Sequence, residues 1–431
     1  MVRRRAREPR DRRPLDPRIA IAEEPAMVRC RTNETSLCLL VASTVVVAGV
    51  LAPAPSSART VDTDKARVQV ERIAGVAHPW GLALMPDGRF LVSERNDARI
   101  QLGTRDGKMV QVEGVPPVFR YKGPTGRSQA GLFHVALHPD FADNRLVYFS
   151  FSQPSEEGAG TAIARGRLVE TGDKPRLENV EVIFTPKAHD SSGLHFGGRF
   201  VFHPQDKSII LSIGERRNIS RAQKRDDEAG AFIRMMDDGA VPNDNPFIGQ
   251  PDAAPTLFAL GNRNSHGLAF HPETGQLWAN DHGPKGGDEI NRIEAGKNYG
   301  WPFQTAGVDY SGAPIGKGAR GVEDMADPVH VFERTVAPSG LAFYTGDMFP
   351  EWRGHMLHGG LAARALVRTA LDGDTVSEEE WMLRDLDRRI RDVQVDRDGA
   401  IWVVTEHEDG EILRITRADT PTGSGSADRR R

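Results

Sequence analysis

The chain has 431 residues, a formal net charge of -4 and a sequence pI near 6.4. That balance gives no overall basic field of the kind that nucleic-acid binding requires, so we expect no nucleic-acid partner. Length alone does not set the number of domains, because some all-β folds use several hundred residues as one unit.

The first two segments have the composition of a leader and an export signal. Residues 1–26 are crowded with arginine and proline and are predicted to be disordered or untranslated. After a second methionine, Met27, a basic stretch precedes the apolar run 37–51, and Ser56-Ser57-Ala58 supplies small residues for cleavage. We therefore interpret residues 27–58 as a signal peptide, which predicts a periplasmic or secreted mature protein.

A membrane anchor is the competing interpretation of the same apolar run. Its length of about 15 residues falls short of the roughly 20 that a helix needs to cross a bilayer, so we expect no membrane insertion of the mature chain. Both cysteines, Cys30 and Cys38, precede the cleavage site, which leaves the mature chain without a disulfide or a thiolate metal site. A lipid anchor on Cys38 is the weaker alternative, because this residue starts the apolar run instead of ending it.

Short runs typical of β-strands follow, and several are preceded by similar turns such as Met85-Pro86-Asp87-Gly88 and Asp396-Arg397-Asp398-Gly399. The turns recur at intervals of roughly 50–70 residues, with Gly346-Asp347 supplying a skipped member, and no long amphipathic helix interrupts them. The clearest strand-like runs are RFLVSE (89–94), RLVYFSFS (145–152), SIILSIG (208–214), QLWAND (276–281) and AIWVVTE (400–406).

This loose repeat of hairpins predicts an all-β fold, a six-bladed β-propeller of four-stranded antiparallel sheets over residues 59–416. The remaining residues, 417–431, are rich in Gly, Ser, Asp and Arg and are predicted to form a disordered tail.

Several common catalytic motifs are missing from the sequence. It contains no Gly-rich nucleotide loop after a strand, no His-Glu-x-x-His and no Gly-x-Ser-x-Gly elbow. Dehydrogenases that use nicotinamide, zinc peptidases of the zincin type and serine hydrolases are therefore excluded.

Three Gly- and His-rich loops between predicted strands are the candidates for function. In HFGGR (195–199), two glycines allow close backbone approach and the histidine suits a general base, although a simple turn histidine is the alternative. The second loop, GNRNSHG (261–267), places a guanidinium, an amide and an imidazole side by side. The third, DHGPKGGDEIN (281–291), offers carbonyls and carboxylates that suit calcium, or forms a solvated acidic turn.

Taken together, these loops resemble the soluble PQQ-dependent aldose (glucose/sorbosone) dehydrogenases. The resemblance covers almost the whole predicted mature chain, and it implies an enzyme that oxidises the C1 hydroxyl of aldose sugars to lactones with PQQ and calcium. Further similar motifs occur in the same order: HPWGL (78–82), QAGL (129–132), ALHPDF (136–141), KNYGWP (297–302), APSG (337–340) and RIRDV (389–393).

The resemblance also implies roles for individual residues. His195 matches the catalytic base, Arg263 stabilises the developing oxyanion, and Glu215 stands one methylene longer where the family has an aspartate that orients the histidine. The carbonyls of Gly283 and Pro284 match ligands of the catalytic calcium, whereas Glu289 and the carbonyl of Tyr299 match a second, structural calcium site. The implied quinone contacts are Gln129, Arg263, Asn264, His282, Tyr310, Ala337, Ser339, Arg389 and Arg391.

These roles have physical reasons. PQQ carries three carboxylates, which guanidinium forks pair with bidentately. Calcium polarises the quinone carbonyl that receives the hydride.

Three departures from the family pattern predict altered cofactor affinity or substrate choice. Ser265-His266 replaces the usual Pro-Gln, and Ala362 replaces a lysine that faces the quinone. Glu215-Arg216-Arg217-Asn218 replaces the usual Asp-Arg-Gly-Asp.

Two other functions remain open. Ala362 favours a propeller that binds sugar or cell-wall glycan without redox chemistry, and the same architecture suits a calcium-dependent lactonase that uses a metal-activated water. A quinone enzyme would also need an electron acceptor, which the sequence does not identify. The family contains both monomers and homodimers.

Overall fold

The computed structural model describes residues 58–123, 128–373 and 375–418. The predicted leader, the predicted signal peptide up to residue 57 and the tail from residue 419 lie outside the described residues. Within the described ranges, no helix is long and apolar enough to cross a membrane.

The described strands form six antiparallel sheets, and the predicted six-bladed β-propeller is confirmed. Each sheet is one blade, numbered here by the order of its first strand. Blade 1 contains Pro79–Leu84, Phe90–Glu94, Arg99–Gly103 and Met109–Val112. Blade 2 contains Leu132–Leu137, Leu146–Ser155, Gly158–Val169 and Arg176–Phe184. Blade 3 contains Phe200–Phe202, Ile209–Ile213, Ala231–Met235 and Leu257–Leu260. Blade 4 contains Ser265–Phe270, Leu277–Asp281, Glu289–Ile293 and His330–Val331. Blade 5 contains Pro338–Phe343, Met356–Gly360, Ala365–Asp372 and Thr375–Met382. Blade 6 contains Ile390–Val395, Ile401–Thr405, Glu411–Arg417, Arg67–Gly75 and Arg59–Asp62.

Blade 6 closes the ring with strands from both parts of the chain. Arg67–Gly75 pairs antiparallel with Glu411–Arg417, so the N-terminal and C-terminal segments share one sheet. Arg59–Asp62 then pairs with Arg67–Gly75 and makes this sheet five-stranded, where four strands were predicted. This pairing closes the ring, so that each described blade presents an exposed edge at its outer strand. The last strand ends at Arg417, the first residue of the predicted tail.

Helices are minor in the described ranges, as the sequence predicts. They comprise the α-helix Phe141–Asn144 and the 3₁₀ helices Arg221–Gln223, Pro350–Trp352 and Arg384–Leu386.

The first strand of each blade lies innermost. The first strand of blade 1 contacts those of blades 2 and 6, and the first strand of blade 5 contacts those of blades 4 and 6. Five of the six second strands are buried along their whole length, as in Phe90–Glu94 and Ile209–Ile213, because blades cover both of their faces. The exception is Leu146–Ser155, whose last residues are exposed. This packing explains why these runs are mostly apolar on both faces, with few polar residues such as Ser93 and Ser212.

His358 is a histidine buried away from the ends of the propeller. Its Nε2 lies 3.0 Å from Thr369 Oγ1, and its Nδ1 lies 3.4 Å from Asn280 Nδ2. Burial lowers the pKa of this imidazole from 6.5 to about 3. In the unfolded chain the imidazole binds a proton as the pH falls through 6.5, while in the folded chain it stays neutral.

The free energy of unfolding should therefore be highest above pH 6.5 and fall as the pH decreases towards 3. Between pH 6.5 and pH 5, His358 alone should account for a loss on the order of 2 kcal/mol. Urea unfolding at pH 7 and pH 5 should show a smaller loss in His358→Gln, which cannot be protonated, than in the wild type. Equal losses in the two proteins would contradict this assignment.

Candidate active site

The candidate residues gather at one end of the central channel, where the first strands begin. His195, Arg263, Ala337 and Arg389 each lie in the loop that enters the first strand of blades 3, 4, 5 and 6, respectively. Glu215, in contrast, follows the second strand of blade 3. Antiparallel pairing of first and second strands brings these loops to the same edge of the ring.

His195 and Glu215 form a buried pair. His195 Nδ1 lies 2.6 Å from Glu215 Oε2, and both side chains are almost fully buried. The carboxylate also accepts a hydrogen bond of 2.7 Å from the backbone N–H of Arg217. With Nδ1 donating to the carboxylate, the lone pair of the imidazole lies on Nε2.

The backbone around His195 is unusual. His195 has a positive φ of 52°, a left-handed conformation that non-glycine residues adopt mostly at functional or strained positions. Gly197 and Gly198 follow with φ of 64° and 94°, and a Cβ on Gly197 would lie 2.6 Å from the carbonyl oxygen of Ser212. The glycine pair therefore allows the loop to turn tightly against blade 3.

The surroundings keep the imidazole neutral and the carboxylate charged. Burial lowers the pKa of His195 below its usual value, and the hydrogen bond to Glu215 opposes this, while the charge of Arg263 lowers it further. Burial alone would raise the pKa of Glu215, but the hydrogen bond with His195 and nearby positive charges bring it below its usual value. The pair is thus suited to accept a proton at Nε2 near neutral pH.

Two amide side chains fix the loop, and their NH₂ groups donate to no residue in the described ranges. Gln129 Oε1 accepts a hydrogen bond of 2.7 Å from the backbone N–H of His195, and Asn264 Oδ1 accepts one of 3.0 Å from Gly197. Each amide NH₂ group remains as a donor for another acceptor.

A cavity of about 290 Å³ opens between these loops. Most of the candidate residues predicted from the sequence meet there. Its lining includes Gln129, His195, Arg263, Asn264, His282, Gly283, Pro284, Tyr310 and Ala337. Ser339 and Arg391 are buried and do not line it, and Arg389 lies half-exposed outside it.

Two buried aspartates hold the loops around this cavity. Asp281 accepts hydrogen bonds of 2.7 Å from the backbone N–H groups of both Arg263 and Asn264. Asp288 accepts hydrogen bonds from the backbone of Gly283 at 2.9 Å and of Ala337 at 2.7 Å. The two carboxylates therefore tie the entry loops of blades 4 and 5 to the third candidate loop.

Glu289 and Tyr299 line a separate cleft of about 10 Å³, room for about one water or ion. Asp281 and Gly283 line the same cleft. Burial, with added repulsion from the Asp281 and Asp288 carboxylates, raises the pKa of Glu289 to about 8. No group of three or more His, Cys, Asp or Glu side chains in the described ranges has metal-binding geometry, so a cation here would depend largely on carbonyl oxygens.

Glu406 joins three arginines behind the cavity. Its Oε2 lies 2.5 Å from Arg391 Nη2 and 3.0 Å from Arg389 Nη2, and its Oε1 pairs with Arg95. Burial opposes ionisation, but the three cations hold the pKa of Glu406 far below its usual range. One carboxylate balances only one of the three charges, so this cluster keeps a net positive charge.

His266 lies between this arginine cluster and the cavity. Its Nδ1 accepts a hydrogen bond of 3.1 Å from Arg391 Nη1, and its ring centroid lies 4.6 Å from that of His282. Burial, followed by the charges of His282 and Arg391, lowers the pKa of His266 well below its usual value. At His266, where the sequence departs from the family pattern, a neutral imidazole thus accepts a hydrogen bond from Arg391.

Comparison with known proteins identifies the family. Residues 76–414 match the family model described as glucose/sorbosone dehydrogenase. The chain belongs to this family. Its relatives include the aldose sugar dehydrogenase YliI of Escherichia coli (strain K12), which is 37% identical over 343 residues, 79% of this chain and 90% of the relative.

Solved structures agree with membership in the glucose/sorbosone dehydrogenase family. The soluble aldose sugar dehydrogenase from E. coli in its apo form matches with a TM-score of 0.77 and 36% identity, over 81% of this chain and 100% of that one. The PQQ-bound aldose sugar dehydrogenase from Streptomyces coelicolor matches with a TM-score of 0.68 and 28% identity, over 81% and 98%. The protein is therefore a β-propeller that belongs to a family of oxidoreductases.

Four residues of the site, Asp281, Asp288, Glu406 and Arg95, received no individual role from the sequence. A shared signal was present for Asp281 and Glu406. Glu94, Asp281 and Glu406 are acidic residues at or just after the end of a second strand, the same place that Glu215 occupies in blade 3. Aligning the blades by this position would have indicated that Glu406 also lies at the active end of the channel.

Proposed function

We propose that the protein is an exported quinoprotein that oxidises the C1 hydroxyl of an aldose to a lactone, with PQQ and calcium. The observation that carries this proposal is the buried His195–Glu215 pair, of which His195 lines a cavity of about 290 Å³. PQQ, when bound, accepts the hydride that leaves C1, and calcium polarises the accepting carbonyl.

In the proposed reaction, His195 Nε2 removes the proton of the C1 hydroxyl. The Glu215 carboxylate fixes the tautomer that leaves Nε2 unprotonated and stabilises the imidazolium that forms. Arg263 lies on the same cavity wall, and its Nη2 is 3.5 Å from the Tyr310 hydroxyl. Its charge would stabilise the oxygen of C1 as it becomes negative.

The residues present fit a tricarboxylate cofactor. The cluster of Arg95, Arg389 and Arg391 on Glu406 has an excess of positive charge. Within the described ranges, the buried Nε of Arg391 has no hydrogen-bond partner. Gln129 and Asn264 would add neutral donors, and His282, Tyr310 and Ala337, which line the same cavity, would complete the cofactor contacts. These features outweigh the absence of a lysine at Ala362.

The residues also fit calcium. The Gly283 and Pro284 carbonyls would bind the catalytic ion, because both residues line the cavity. Glu289 and the Tyr299 carbonyl would bind a structural ion in the adjoining cleft.

Export is consistent with the position of the first described strand. This strand begins at Arg59, directly after the predicted cleavage site at Ala58. We propose a periplasmic or secreted mature protein that starts near this residue, and the mass of the exported protein tests the boundary.

The proposed function is tested by reconstituting the apo-protein with PQQ and calcium and following dye reduction across a panel of aldoses. We expect a bound-quinone absorbance spectrum and dye reduction with at least one aldose. Sugar binding without a quinone spectrum would support the non-redox alternative. Hydrolysis of lactones by the calcium form without PQQ would support the lactonase.

Removal of calcium should lower the melting temperature, because a ligand that binds only the folded state stabilises it by mass action. At free calcium 100 times the Kd, the stabilisation is about 2.7 kcal/mol per site. Differential scanning fluorimetry with and without chelator measures this shift.

Glu289→Gln should lose the part of the calcium-dependent shift that the structural site contributes, and keep the part from the catalytic site. Glu294→Gln is the matched control, because Glu294 is exposed and pairs with Arg292. An unchanged shift in Glu289→Gln would show that Glu289 holds no calcium.

A further inference from the structure

A turn next to His195, the candidate base, has a positive φ at both central residues. These two residues are arginines, where such turns favour small residues. The backbone N–H of Asn218 donates to the carbonyl of Glu215 at 3.0 Å, and Arg216 and Arg217 between them have φ of 62° and 61°. Turns with positive φ at both central residues favour Asn and Gly, because a Cβ is disfavoured there. An arginine kept in this conformation therefore points to a role for its side chain.

Packing accounts for Arg216. Its side chain is buried, and its guanidinium lies 3.5 Å from the centroid of the Phe196 ring. It donates a hydrogen bond of 2.5 Å to the carbonyl of Ser192 and one of 3.1 Å to Asp190. Arg216 thus supports the segment that leads into His195.

Packing does not account for Arg217. Its side chain is exposed, and its guanidinium makes no ion pair or hydrogen bond with any residue in the described ranges. The guanidinium carbon lies 5.9 Å from the centroid of Tyr310, whose ring lines the cavity and is 60% exposed. Arg217 therefore presents a free cation at the rim of the cavity, beside the His195–Glu215 pair.

The acids near this cation have other hydrogen-bond partners. Asp309, on the facing loop, accepts hydrogen bonds from Ser311 Oγ at 2.6 Å and Ser311 N at 2.8 Å, which lower the pKa of its carboxyl. It is close enough to Arg217 for that charge to contribute to the lowered pKa, but within the described ranges it forms no ion pair with Arg217. Asp288 is buried and bonded to backbone N–H groups. Lys285, which also lines the cavity, is exposed and adds a second positive charge.

We propose that Arg217 is a specificity residue that selects aldoses with an anionic group remote from C1. A guanidinium fork pairs bidentately with a carboxylate or a phosphate, so hexuronates and hexose phosphates share the required chemistry. The proposal rests on the proposed oxidation of C1: the sugar loses a hydride to the cofactor and a proton to His195, and a dye reoxidises the cofactor. The anionic group is unchanged in this reaction and only binds.

The experiment compares D-glucuronate, D-glucose 6-phosphate and D-glucose as substrates of the holoenzyme, with phenazine dye as oxidant. In Arg217→Gly, which suits the positive φ, KM for an anionic sugar should rise about tenfold, the value of one charged hydrogen bond, while kcat stays within about twofold. KM for glucose should not change. Arg217→Lys should recover part of the loss. Added salt should raise KM for anionic sugars more in the wild type than in Arg217→Gly, which keeps Lys285 but lacks the guanidinium.

The matched control is Arg145→Gly, because Arg145 also has a positive φ, 60°, but lies at the opposite end of the strands and pairs with Glu170. It should leave all three KM values unchanged. An effect limited to glucuronate identifies a carboxylate substrate, and one limited to the phosphate identifies a phosphorylated sugar. An equal change for glucose and the anionic sugars, or none for any sugar, would overturn the proposal.

Calorimetric titration of glucuronate and glucose 6-phosphate into the PQQ-loaded protein without dye gives a readout that is independent of turnover. Binding weakened about tenfold by Arg217→Gly supports the anionic site even if no sugar is oxidised. Oxidation of glucose with no binding preference for either anion overturns the specificity proposal and leaves the proposed oxidation intact.

Discussion

Replacing His195 by alanine should reduce turnover of the PQQ-loaded enzyme by about 100-fold or more, the usual contribution of a general base. PQQ binding should change little, because His195 acts on the hydroxyl proton of the sugar while the arginines and amides provide the cofactor contacts. Absorbance titration of PQQ and steady-state dye reduction separate the two effects.

Two further variants make the test specific to the His195–Glu215 pair. Glu215→Gln keeps the size of the side chain but removes the charge that stabilises the imidazolium, so turnover should also fall. His203→Ala, at a half-exposed histidine in the turn after Phe200–Phe202, is the control and should retain turnover. Near-normal oxidation by His195→Ala, in a preparation whose spectrum contains PQQ, would remove His195 from the mechanism.

The pH profile gives the same test in the wild type. Only the neutral imidazole accepts the proton, and burial lowers the pKa of His195 below 6.5. The acid limb of kcat/KM should therefore have its midpoint below pH 6.5, with activity lost as the pH falls through it. In Glu215→Gln the midpoint should move lower still, because the hydrogen bond to the carboxylate is a cause that raises the pKa of His195.

Local sequence patterns were sufficient to predict the blades. Runs such as 208–214 and 400–406 are apolar at most positions, without strict polar alternation, because neighbouring blades cover both faces of Ile209–Ile213 and Ile401–Thr405. The recurring turn before each run fixed the number of blades. The fifth strand of blade 6 was missed because Arg59–Asp62 is short and its edge position requires no strong apolar pattern.

Part of the site could be predicted from the sequence and part could not, for a related reason. His195 and Gly197 lie in one short loop, so their motif is visible in the sequence. The partners of Arg391, in contrast, are His266, 125 residues away, and Glu406, which follows a different strand. A local pattern does not encode that one carboxylate faces three arginines, and this charge imbalance became visible only with the blades assembled.

Replacing Arg391 by alanine should weaken PQQ binding by about 100-fold and leave most of the turnover once PQQ is saturating. Truncating one member of a buried charged pair typically costs 2–5 kcal/mol, and here the lost cation is part of the excess positive charge that we assign to binding the cofactor carboxylates. Glu406 keeps Arg95 and Arg389 as partners in this variant, so its charge remains balanced and the apo-protein should still fold.

Arg388→Ala is the matched control for this prediction, because Arg388 lies three residues earlier and forms an ion pair with Asp409 at the surface. It should bind PQQ like the wild type, since exposed ion pairs contribute little. Absorbance titration gives the affinity, and thermal melting of each apo-protein reports the fold. If Arg391→Ala binds PQQ as tightly as Arg388→Ala and differs only by a lower melting temperature, then Arg391 supports the channel and does not hold the cofactor.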